Sequence, residues 1–286
     1  MTDNGAKAIT DVLALLDLEK AGEDIFRGQS PAGRIQRVFG GQVLGQALVA
    51  ATRTVEASRI CHSLHAYFLR PGDPRVPILY EVDRSRDGRS FSVRRVVAIQ
   101  NGKQIFILAA SFQTPEQGYE HEFPMPDVPP PEDLEDEIEA RRKNPALMPE
   151  LLREWLTRAR PFETRPVIID PPGDRPPRPP FDNVWFRAAG PVPGALTQPL
   201  LAFASDASLL STSLLPHGKN IFSNLQVASL DHAMWFHRPF RFDDWLLYAQ
   251  DSPSASGARG FNRGAIYARD GTLLASVTQE GLIRPR

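Results

Sequence analysis

Residues able to do chemistry are sparse in this chain of 286 residues. Four of the six histidines come in two sets, His62 with His65 and His232 with His237, each on a stretch that alternates like a strand. A metal centre needs three or four convergent ligands, and neither this spacing nor the single cysteine, Cys61, supplies them. No metal or other cofactor is expected, and the histidines read as packed or hydrogen-bonded strand residues. Gly40-Gly41 precede a helical stretch, where glycines let a ligand approach free N–H groups at the positive end of a helix dipole, or simply make a tight turn. Asp206 falls early in a second helical stretch, where a carboxylate serves either as a cap or as a base. Ser229 lacks a surrounding Gly-x-Ser-x-Gly elbow, which argues against a nucleophilic serine.

The elements that must position these residues repeat. The first copy runs from His65–Phe68 through Arg70-Pro71, Tyr80, Arg89-Ser90-Phe91 and Asn101-Gly102 to Ala110-Ser111-Phe112-Gln113. The second runs from His232–Phe236 through Arg238-Pro239, Tyr248, Arg259-Gly260-Phe261 and Asp270-Gly271 to Ala275-Ser276-Val277-Thr278-Gln279, so that Gln113 aligns with Gln279. Asn-Gly and Asp-Gly between β-branched and aromatic runs predict type I′ hairpin turns, since both central residues there need positive φ. Before each meander lies a helix: 42–55 carries Val43, Leu44, Ala47, Leu48 and Ala51 at helical spacing, and 200–215 repeats the pattern. A helix followed by four strands, twice, predicts an α+β fold with each helix wrapped by its antiparallel sheet. Ser229 then opens the second meander and Gln279 sits on its last strand.

The bulk numbers narrow the class. A 42% hydrophobic chain can bury a substantial core, and one cysteine excludes an internal disulfide framework. The net charge of −1 argues against a nucleic-acid-coating protein. No run approaches the roughly 20 apolar residues that span a bilayer, and the terminal Leu282–Arg286 is not a Ser-Lys-Leu address, so a cytoplasmic protein without stable membrane association is expected. Between the repeats, 123–131 and 170–180 are Pro-rich and 132–143 is charged, as in a linker that packs little of itself.

Long motifs identify a relative. Phe26-Arg27-Gly28-Gln29-Ser30, Val38-Phe39-Gly40-Gly41-Gln42-Val43, Tyr67–Asp73, Ala204-Ser205-Asp206, Asp231–Pro239, Ser254–Phe261 and Gln279-Glu280-Gly281, in this order, resemble the bacterial acyl-CoA thioesterase II family. The resemblance covers nearly the whole chain, except about residues 121–183, and implies a tandem (double) hotdog fold. Units of 1–120 and 181–286 would flank a linker of 121–180, packing sheet to sheet as a pseudo-dimer, with homo-oligomers built on the remaining faces. It further implies hydrolysis of acyl-CoA by a water that Asp206, Ser229 and Gln279 orient, all three in the second unit. For such a substrate, the Gly40-Gly41 pair before the first helix offers an oxyanion or pantetheine contact, with a tight turn as the alternative reading of the same glycines. Serine at 229 departs from the threonine usual in the bacterial pattern but resembles peroxisomal relatives; the hydroxyl is kept, while losing the γ-methyl frees χ1. Arg94, Arg95, Arg259 and Arg263 are candidate contacts for the nucleotide end of coenzyme A. Within one fold, a hydratase acting on acyl-CoA is the rival activity, and a non-catalytic acyl-CoA-binding module is the rival of another class.

Overall fold

A computed structural model describes residues 3–31, 37–144, 153 and 158–286. Helix α1 (Asp3–Leu16) and the hairpin β1 (Glu19–Gly22) and β2 (Ile25–Gly28) lead into α2 (Gly40–Thr52). The first meander follows as β3 (Ile60–Phe68), β4 (Ile78–Asp87), β5 (Phe91–Gln100) and β6 (Lys103–Gln113). A short α3 (Glu137–Lys143) precedes β7 (Phe162–Pro166) and β8 (Phe181–Ala188), then α4 (Thr197–Ser205) and a 3₁₀ segment, Leu209–His217. The second meander comprises β9 (Leu225–Ser229), β10 (Asp231–Phe236), β11 (Leu246–Ser256), β12 (Arg259–Ala268) and β13 (Leu273–Pro285).

The strands form one sheet in the order β1-β2-β4-β5-β6-β3-β10-β13-β12-β11-β8-β7, with β9 added beside β13. Read from either end, the order is the same: each unit contributes a hairpin-like edge pair, then three meander strands, then β3 or β10 at the centre. The expectation of two units packed sheet to sheet is therefore corrected. They join edge to edge, where β10 pairs antiparallel with β3 from Asp231 opposite Tyr67 to Trp235 opposite Ser63. Pairing abolishes the two edges that each unit would otherwise expose.

On the concave side lie the two central helices. Every residue of α2 from Gly41 to Ala51 is buried, which is the signature of a helix enclosed on all sides rather than laid on a surface. Its polar members are satisfied: Gln42 Nε2 donates to the Gln29 carbonyl at 2.9 Å, and Tyr80 donates to Gln46 Oε1 at 2.6 Å. Glycines set the helix spacing. A Cβ on Gly45 would stand 2.8 Å from the Pro199 carbonyl oxygen, and one on Gly41 2.3 Å from that of Phe203, so α2 and α4 meet backbone to backbone along one face. One apolar core runs continuously from Phe26 and Leu44 to Leu201 and Ile266 across both units.

Three expectations from the sequence need correction. The stretch 200–215 is not one helix: α4 stops at Ser205, and the chain resumes as a 3₁₀ segment at Leu209. The 121–180 connector packs more than expected. Met125, Val128 and Leu134 cover the outer cluster of Trp185, Trp245, Leu247 and Tyr267, Trp185 Nε1 donates to the Pro129 carbonyl at 2.9 Å, and β7 extends the sheet. Of the two hairpins, Asn101 and Gly102 both have positive φ (49° and 70°), as a type I′ turn requires, but at the second only Gly271 does, and Asp270 accepts from Thr272 N–H instead.

Replacing Gly45 by valine should force the two helices apart. We expect a loss of about 1–3 kcal/mol from overpacking, read as a lower denaturation midpoint at unchanged slope, whereas the same change at exposed Gly118 should leave the midpoint in place.

Candidate active site

Asp206 follows the last residue of α4, so it sits at that helix's C-terminal end rather than early in a helix, and the N-cap reading is corrected. A carboxylate at a helix C-terminus faces the negative end of the dipole, an unfavourable place unless something else receives it. That receiver is the start of α2, where the backbone N–H of Gly41 faces Asp206 and draws its carboxyl downward. The packing leaves no space for a side chain, because a Cβ on Gly40 would stand 2.6 Å from Asp206 Oδ2. Gly40 and Gly41 thus form the first turn of α2 rather than a separate tight turn. They let one unit's carboxylate reach the other unit's helix terminus.

The sheet supplies the remaining partners. Ser229 ends β9 and Gln279 lies on the neighbouring β13, where β9 and β13 pair with Ser229 opposite Gly281. Ser229 Oγ donates to Asp206 Oδ1 at 3.2 Å, and Gln279 Nε2 lies 2.5 Å from the same oxygen and 3.2 Å from Ser229 Oγ. The three residues named from the sequence therefore converge, within hydrogen-bond reach of one another.

Burial sets the electrostatics. The Asp206 side chain is 3% exposed, and desolvation raises its carboxyl to about 6, against the opposing pull of donors Gln279, Ser229 and Gly41. Among the described residues no Lys or Arg pairs with it. The titratable groups against it are neutral: His232, fully buried, is pushed down to about 3 by desolvation, and Tyr248 is pushed well above its usual range by burial and by the carboxylate itself. His232 Nδ1 is 3.2 Å from Gln279 Nε2, a contact that the sequence reading did not foresee because a strand histidine looks alike whether it faces core or site.

The first unit does not duplicate this arrangement. With Tyr80 and Tyr248 taken as equivalents, the strand pairings carry Ala98 to Ile266, Phe106 to Ala275 and Ala110 to Gln279. Gln113 lies three residues from that position, an odd number, which in a strand means the opposite face. Buried Ala110 fills the inward position, and Arg53 rather than an acid follows α2. The arginine candidates fare unevenly. Arg94 is buried and bound to Asp87, Thr54 and backbone carbonyls, so it is a structural brace rather than a ligand contact. Arg259 pairs with Glu280 and Arg263 with Asp251, while Arg95 is exposed. Among the described residues no cluster of His, Cys, Asp and Glu could hold a metal.

Comparison with known proteins gives the family. The model of the acyl-CoA thioesterase family matches residues 155–282, and that of the acyl-CoA thioesterase N-terminal domain matches 29–113. Acyl-CoA thioesterase 2 of Haemophilus influenzae is 43% identical over 96% of this chain and 98% of its own. The chain belongs to the acyl-CoA thioesterase family. Human acyl-coenzyme A thioesterase 8 is 44% identical over 96% of this chain and 88% of its own. Among solved structures, acyl-CoA thioesterase II TesB2 from Mycobacterium marinum superposes with a TM-score of 0.80 at 42% identity, covering 96% of this chain and 98% of that one. The fold is the double hotdog of these thioesterases.

An acid raised to about 6 binds its proton more tightly in the folded chain than in the unfolded one, where the ordinary value is 3.8. Its contribution to stability is present below about pH 4 and is lost as pH rises through about 6. Asp206→Asn, which never ionises, should therefore be more stable than wild type at pH 7–8, by up to on the order of 3 kcal/mol for a shift of roughly two units. Denaturant titration should show this advantage shrinking toward pH 4.

Proposed function

We propose that the protein hydrolyses acyl-CoA thioesters to a free carboxylic acid and coenzyme A, and that Asp206, Ser229 and Gln279 orient the attacking water. The observation that carries the mechanism is the convergence of the Ser229 and Gln279 side chains on the buried Asp206 carboxylate. Asp206 accepts a proton from water as the water oxygen attacks the thioester carbonyl carbon. The carbonyl π pair moves onto oxygen, and when it returns the C–S bond breaks. Coenzyme A leaves as thiolate and takes the proton back from Asp206. A base near 6 is well matched to this exchange, being ionised at neutral pH yet still basic enough to accept a proton in the transition state. Ser229 donates to Asp206 Oδ1, so its hydroxyl serves the carboxylate rather than acting as a nucleophile. Gly40, at the positive end of α2, supplies the N–H nearest the site for the developing oxyanion, since Gly41 N–H already faces Asp206. The aromatic rings of Phe39 and Phe68, beside these glycines, provide apolar surface suited to an acyl chain.

We place the protein in the cytoplasm and as a homo-oligomer. The first is supported by Cys61, a free, buried thiol raised to about 12 by desolvation, as suits a reducing compartment. The second is supported by the outer face at the β3–β10 junction, where Tyr67 is 58% exposed beside the edge-on rings of His65 and Trp235.

Thiol release from saturated acyl-CoAs of graded chain length tests the activity, because a hydratase cannot turn over a chain with neither double bond nor hydroxyl. Wild type should release coenzyme A with an acid limb of kcat/KM near 6, and Asp206→Asn should lose about 10²–10⁴-fold in kcat while remaining folded. Gln279→Ala removes a donor that lowers the carboxyl, so its limb should move to higher pH. Undiminished turnover in Asp206→Asn would place the chemistry elsewhere.

A further inference from the structure

The amide of Gln279 has two possible orientations, related by a half-turn that exchanges nitrogen and oxygen. With nitrogen inward, its two N–H protons face three acceptors within reach, Asp206 Oδ1 at 2.5 Å and Ser229 Oγ and His232 Nδ1 each at 3.2 Å. With oxygen inward, it would set a carbonyl dipole against a carboxylate at hydrogen-bond distance. What chooses between them lies one layer behind, in residues that never meet the water.

Ser205 Oγ donates to the Ala202 carbonyl at 3.0 Å, which commits its proton. The same oxygen lies 2.9 Å from His232 Nε2, so it accepts from that nitrogen. Nε2 therefore carries the imidazole proton, and Nδ1 presents a lone pair to Gln279 Nε2. The ring is fully buried and held neutral by desolvation, so no second proton reaches Nδ1 near neutral pH. The backbone of Ser205 is fixed in turn by Tyr248, whose hydroxyl donates to its carbonyl at 3.0 Å. The helix turn that ends α4 thus dictates the histidine tautomer, and the tautomer dictates the amide.

We propose that His232 is a positioning residue that holds the Gln279 amide with its N–H, not its carbonyl oxygen, against Asp206. The proposal rests on the reading of Asp206, Ser229 and Gln279 as the water-orienting group. His232 touches no reacting atom in this scheme. It acts only through Gln279, and by keeping a donor on the carboxylate it keeps Asp206 ionised at lower pH than burial alone would permit.

His232→Leu, His232→Asn and Ser205→Ala, each also in a Gln279→Ala background, test this by steady-state thiol release across pH, with thermal melts to verify folding. Asparagine restores an acceptor at the Nδ1 position through Oδ1; leucine does not. We expect His232→Leu to lower kcat by about 10- to 100-fold, the scale of a mispositioned group, with KM within about twofold. Its acid limb should move to higher pH, and His232→Asn should recover most of both effects. In the Gln279→Ala background, His232→Leu should add little, because the residue it acts through is gone. Equal losses in both backgrounds, or no recovery by asparagine in a folded protein, would overturn the proposal. Should the leucine variant not fold, Ser205→Ala decides: a lower kcat with the same alkaline shift supports the relay, and wild-type kcat and limb refute it. Asp206→Asn separates the layers. If it keeps full turnover, the trio reading fails and this proposal with it; if it collapses while His232→Leu is unaffected, only the role of His232 fails.

Discussion

A carboxylate taken out of water where one helix ends and another begins, and held there by hydrogen-bond donors, governs this structure. Asp206 is tolerated there because three donors converge on it: the Gly41 N–H from the first unit, and Ser229 and Gln279 from the second. Those donors soften the desolvation without cancelling it, and the carboxyl remains raised to about 6. Everything that brings them together follows from that demand. The helices touch backbone to backbone through glycine, β9 folds back beside β13, and the two sheets fuse so that both helices share one concave floor.

Fusion of the sheets also explains why two similar units carry one site. A pseudo-symmetric pair offers two equivalent places where a helix C-terminus meets the partner's N-terminus. One has Asp206 with an inward Gln279; in the first unit Arg53 follows α2 and Ala110 holds the strand position of Gln279. The second place keeps the architecture and lacks the acid and the amide. The first unit nonetheless contributes what the second cannot make for itself, the N-terminus of α2. The unit carrying the acid and the unit carrying its glycine-lined receiver therefore depend on each other.

The buried polar layer behind the site shows how a hydrophobic core can hold directional chemistry. Ser205, His232 and Tyr248 are buried around the end of α4, and each finds a partner among its neighbours or the backbone. Such a network leaves few alternative proton placements once one hydroxyl is committed to a backbone carbonyl. Direction is thereby passed from a helix turn to an amide without any charged group taking part.

Much of this was legible in residues. The repeat was visible because turn glycines and Arg-Pro pairs recur at matched offsets, and Asn101-Gly102 announced its turn because few residue pairs accept two positive φ angles. An Ala-rich α2 without a charged residue declared itself a core helix. Asp206, Ser229 and Gln279 were recoverable only through long motifs, since no local rule distinguishes them from a cap or a surface residue. Tertiary structure decided the rest. Whether Gln113 or Ala110 holds the position of Gln279 depends on register, which motif spacing cannot settle and strand pairing does. Where α4 stops, and hence that Asp206 crosses to the other unit's helix, depends on close packing against Gly40 and Gly41. The raised carboxyl and the neutral histidine exist only when water is excluded, and desolvation is a property of the assembled core, which no linear order of residues contains.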